Sequence, residues 1–125
     1  MPTQPGKILS SIRLAVGLGA WLSPGVTAKL FGMDTAANPE LPYMARLFGV
    51  RDVALAVGTN QTTGPSRRLW WQIGIACDLF DAAAAYLGGR SGSLSKPTVI
   101  LAGGTALAAA GLGVAAMQAE DAAPV

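Results

Sequence analysis

The chain has 125 residues, 51% of them hydrophobic and only 13% charged, with a formal net charge of +2. The charged share is about half of the roughly 25% usual in a soluble domain, and glycine and alanine are abundant, a profile of helices packed closely through small side chains. With no histidine, one cysteine and no basic cluster beyond Arg67-Arg68, the sequence excludes internal disulfides, histidine catalysis, histidine haem ligation, CxxC redox chemistry and a nucleic-acid surface.

This composition leads to the expectation of a single integral membrane domain over residues 1–125. A first span is expected over about 7–23, stopped by Pro24-Gly25, with Trp21 as an interface anchor near its end. Lys7, Arg13, the apolar run Leu14 to Leu22 and Val26-Thr27-Ala28 also sketch a cleavable secretory signal, the competing reading of this end. Residues 26–33 fit a short helix lying in the interface, with Lys29 snorkelling. The second span, about 41–58, is expected after Asn38 as N-cap and Pro39 in the entering turn, and holds Arg46, Arg51 and Asp52.

The third span, about 66–88, begins with Arg67, Arg68, Trp70 and Trp71, a set suited to anchoring at the headgroup layer, and ends at Tyr86 before Gly88-Gly89. After a flexible loop at 89–95, the fourth span, about 97–119, has no charged residue. At about 1.5 Å per residue it reaches roughly 34 Å, enough to cross a hydrocarbon core of about 30 Å. Residues 1–6 and 120–125 read as short frayed tails. The expected fold is all-α: a four-helix transmembrane bundle with a short interfacial helix after the first span, both termini cytoplasmic. A soluble all-α protein is the alternative, on account of the polarity of the first two spans.

Six ionisable residues fall inside these spans: Arg13, Arg46, Arg51, Asp52, Asp78 and Asp81. Each costs about 2.5 to 3.5 kcal/mol at the centre of an inserted helix, so they are expected to pair inward. Asp78 and Asp81, three apart, share a helical face with Gly74 and Ala85, a strip narrow enough for another helix to come near. The simplest network brings Arg13 and either Arg51 or Arg46 to that strip, with Asp52 taking the remaining guanidinium. Its first role is to fix the register of helices whose small-residue faces would otherwise slide. Cys77 reads as a small packed hydrophobe, and the Gly104, Ala108, Gly111, Ala115 stripe as a packing face inside the bundle.

The run from Arg13 to Pro24 (RLAVGLGAWLSP), followed by Lys29-Leu30-Phe31-Gly32, resembles the first helix and exit of the DoxX-like group of small four-helix membrane proteins. With Arg46-Leu47-Phe48-Gly49-Val50-Arg51-Asp52, Arg68-x-Trp70 and Asp78-x-x-Asp81-Ala82, nearly the whole chain resembles a mostly actinobacterial family catalogued only as a domain of unknown function. The resemblance implies a multi-pass protein of the bacterial plasma membrane, in a group that includes proteins similar to quinone-linked oxidoreductase subunits and members of oxidative-stress complexes. It supplies no activity.

The sequence therefore points away from an enzyme and towards an accessory or scaffold subunit of an inner-membrane complex. Its expected partners are the lipid bilayer and either another membrane protein or a second copy; no cofactor is predicted for it, a quinone being the one candidate. One alternative is a small transporter or proton-coupled carrier using Asp78 and Asp81. Another is a quinone-associated oxidoreductase subunit.

Overall fold

The computed structural model describes residues 2–123 and contains five helices: α1 (Gln4–Leu22), α2 (Pro24–Leu30), α3 (Leu41–Gln61), α4 (Gly64–Ser91) and α5 (Lys96–Ala122). Each opens with a proline in its first turn, where the missing N–H would have had no helical partner. Pro24 also separates α1 from α2, because it keeps Ser23 out of the helical conformation, with φ of −138° and ψ of 67°. The expected opening of the second long helix at Pro39 is displaced to Pro42. Asn38 does not cap it; its side chain donates to the Asp34 carbonyl at 2.9 Å, closing a turn in the loop before α3.

α4 runs past Gly88-Gly89, into the expected flexible loop, and stops at Gly92, whose φ of 82° is the left-handed conformation that favours glycine. α5 begins on a true cap, the Ser95 hydroxyl accepting from the Thr98 N–H.

The four long helices form a ring in the order α3, α1, α5, α4, with α3 closing back on α4 and α2 lying against α1 and α3. The tightest crossing joins α1 and α3 through glycines. A Cβ added at Gly17 would lie 2.7 Å from the Gly49 carbonyl oxygen, and one at Gly49 would lie 2.5 Å from that of Gly17. Backbone faces backbone there, so nothing can swing aside. Gly49→Ala is expected to cost about 1–3 kcal/mol as an overpacked site. Urea unfolding of this variant beside Gly104→Ala, which would enter open space, measures the difference.

The buried core is built from small residues, with Leu9, Trp71 and Ala116 clustered at one end and Ala20, Ala56, Ala85, Ala106 and Ala110 along the bundle. The Gly104, Ala108, Gly111, Ala115 stripe was expected inside the bundle, yet Gly104, Ala108 and Gly111 are exposed. α5 instead buries the neighbouring face of Ala106, Ala110, Gly113 and Ala116.

The expected four-span transmembrane bundle is not supported, nor is the multi-pass location built on it. Spans were expected within what are now α1, α3, α4 and α5, but among the described residues only α5 is long and apolar enough to cross a membrane. The reason lies in the polar load of the others. α1 carries Gln4, Lys7, Ser10, Ser11 and Arg13; α3 carries Arg46, Arg51 and Asp52; α4 carries Arg67, Arg68, Asp78, Asp81 and Arg90.

The expected tails also change. Glu120 and Asp121 belong to the last turn of α5, and α1 already begins at Gln4, while residues 1, 124 and 125 lie outside the described residues.

Candidate functional site

The centre of the ring holds a charge cluster. α1 and α4 face each other across the ring without a close approach of their backbones, and Arg13 spans that diagonal. Its Nη1 donates to Asp78 Oδ1 at 3.2 Å and its Nη2 to Asp78 Oδ2 at 2.6 Å, both side chains being buried. This is the two-point geometry that matches a guanidinium to a carboxylate. Gly74, one turn before Asp78, makes the approach feasible: a Cβ there would sit 3.0 Å from Arg13 Nη2.

A second two-point pair forms nearer the surface, where Arg51 Nη1 donates to Asp81 Oδ1 at 3.0 Å and Nη2 to Oδ2. Asp52 lies between the two. Its Oδ1 is 3.5 Å from Arg13 Nη1 and 4.0 Å from Arg51 Nη2. Neither approach is a hydrogen bond, and this buried oxygen has no hydrogen-bonding partner.

Of the six residues expected in the network, five therefore meet and Arg46 does not. Arg46 is exposed; its Nε donates to the Trp21 carbonyl at 3.1 Å and its guanidinium lies 6.0 Å from the centroid of the Trp21 ring. Without Arg46, three carboxylates share two guanidinium groups. Asp52 is the unmatched carboxylate. Burial pushes its carboxyl up from the ordinary 3.8 to about 6, with Arg13 and Arg51 pulling the other way and Asp78 and Asp81 adding to the rise.

A cavity of about 470 Å³ opens onto this cluster, within the range of small-molecule sites. Its walls are mostly apolar, including Leu9, Val16, Ala28, Phe31, Phe48 and Ala106, and its ionisable lining is Arg13, Asp52, Asp78 and Asp81. The guanidinium N–H groups shown bonding here are directed at Asp78 and Asp81.

The residues expected as interface anchors divide. Trp21 is half exposed at the end of α1. Trp70 lies with its ring over Gly58 of α3. Trp71 is buried rather than outward-facing, and its Nε1 donates to Glu120 Oε2 at 3.1 Å. Arg67 is buried too, donating from Nε to the Thr59 carbonyl at 2.9 Å and from Nη1 to Glu120 Oε1 at 3.3 Å. Arg68 pairs with Asp121 at the exposed surface, where such a bridge contributes little. This second cluster was not anticipated, because the carboxylates that hold it were assigned to a frayed tail.

No family model matches the chain, and no curated protein and no solved structure matches it.

Proposed function

We propose that the chain is a small accessory subunit, a helical scaffold whose Arg/Asp pairs set the register of its helices and whose outer apolar faces are covered by a larger partner. The observation that carries this reading is the exposure of large apolar side chains on every long helix and on α2. Phe80 is 76% exposed, Leu22 73%, Ile100 72% and Leu30 71%, and Tyr43 and Leu47 of α3 stand out as well. A monomer rarely leaves so much apolar surface without a partner for it.

The carrier reading through Asp78 and Asp81 draws less support, because both carboxylates are engaged at two points by arginines, the arrangement suited to fixing geometry. Mild isolation from source cells should recover the chain in a stoichiometric complex, from which Phe80→Glu releases it with helix content unchanged. A chain that stays monomeric and monodisperse in detergent-free buffer, indifferent to Phe80→Glu, would contradict the proposal.

A further inference from the structure

The cavity beside the charge cluster has a composition that selects its occupant, independently of any accessory role. Three observations converge. First, the groups facing Asp52 are Arg13 from α1, its neighbour Arg51 on α3, and Asp78 and Asp81 from α4, while α2 and α5 contribute no ionisable side chain to the cavity wall. Formally this is two positive charges against three negative, so the site has room for one more cation. Second, Asp52 is 5% exposed and lines the cavity, and its Oδ1 is a buried acceptor without a donor. A buried carboxylate that lacks this hydrogen bond is costly to keep ionised, and a further cation beside it lowers that cost. The other buried polar atom of the cluster without a partner, Arg51 Nε, is not part of the cavity wall.

Third, a wetter hollow abuts the cavity and shares Met33, Leu41, Met44, Leu94 and Thr98 with it. Its ionisable lining is Asp34 and Glu40, with no lysine or arginine. An approach lined by one sign of charge concentrates molecules of the other sign.

We infer that the cavity is a binding site for a lipophilic amine, with the apolar tail in the chamber and the ammonium paired with the Asp52 carboxylate where it lines the wall. An alcohol would satisfy the acceptor but leave the extra negative charge, and a carboxylic acid would add to it. Protonation of Asp52 removes the charge that holds the ammonium, so binding weakens as the pH falls through the carboxyl's raised value of about 6.

Octylamine, 1-octanol and octanoate, titrated into the purified full chain by calorimetry, separate these cases. At about pH 7.5 octylamine should bind roughly tenfold or more tightly than 1-octanol, and octanoate more weakly than either. At about pH 5, where roughly a tenth of Asp52 is ionised, the octylamine dissociation constant should rise about tenfold while that of 1-octanol holds. Asp52→Asn should bring octylamine down to the level of 1-octanol and leave 1-octanol binding in place, which also reports an intact cavity. Should that variant fail to fold, the wild-type pH series decides alone. Equal affinity for amine and alcohol, octanoate as the tightest ligand, an amine preference that survives Asp52→Asn, or no binding of any of the three would each overturn the inference.

Discussion

Asp78→Asn is expected to lower the unfolding free energy by about 3–5 kcal/mol, the usual cost of removing one member of a buried ion pair. That is a large part of the roughly 5–15 kcal/mol that holds a domain folded. The cause is the loss of the two-point bond across the ring, which the more distant Asp52 carboxylate does not replace. Arg13 is buried, reaches across the ring to α4, and shares two hydrogen bonds with Asp78. An asparagine can accept one of these but brings no charge, and the remaining neighbour, Asp52, stands 3.5 Å away without a hydrogen bond. Urea denaturation measures the loss. The triple change Arg13→Met, Asp52→Asn, Asp78→Leu removes the buried charges together and should recover most of it, because an apolar replacement of a buried charged triad is often neutral or stabilising. If the triple variant were as unstable as Asp78→Asn alone, the loss would come from packing.

Asp52→Asn carries the opposite sign, though it lies in the same cluster. Its carboxyl is raised from 3.8 to about 6 by burial, so ionising it opposes folding. Between those two values the folded chain keeps a proton that the unfolded chain has released. Stability therefore falls as the pH rises through that window and is flat above it. At neutral pH the penalty is of order 2–3 kcal/mol, and Asp52→Asn should recover about 1–3 kcal/mol of it, seen as a rise of several degrees in Tm. The gap between wild type and variant should be widest above about pH 6 and close near pH 4. A variant that is less stable at neutral pH would mean that Arg13 and Arg51 compensate the Asp52 charge in full.

The two aspartates show how far the sequence leads. The spacing of Asp78 and Asp81 beside Gly74 places both carboxylates on one helical face, and the structure brings an arginine to each. Helical spacing is a local property, and it was readable. Which arginine arrives is a tertiary matter: nothing in the spacing of Arg46 and Arg51 shows that Arg46 turns out to the Trp21 carbonyl, leaving Asp52 unmatched.

The location was misread for a related reason. Low overall charge and long helices suggested four spans, but α1, α3 and α4 carry too many polar side chains, of which Arg13, Asp52 and Asp78 meet at the centre of the ring and Arg67 is buried near one end. Arg67 and Trp71 meet Glu120 from 53 and 49 positions away in the chain, and no local pattern announces it. The cavity is likewise a product of how five helices meet.

The titration of the Asp52 carboxyl tests the central claim most directly, that the bundle encloses one carboxylate more than its arginines can match. Carbon-13 NMR of aspartate-labelled protein, with the Asp52 signal assigned through Asp52→Asn, follows it without regard to stability or ligand. The account predicts a midpoint at about 6. A midpoint near the ordinary 3.8 would contradict it.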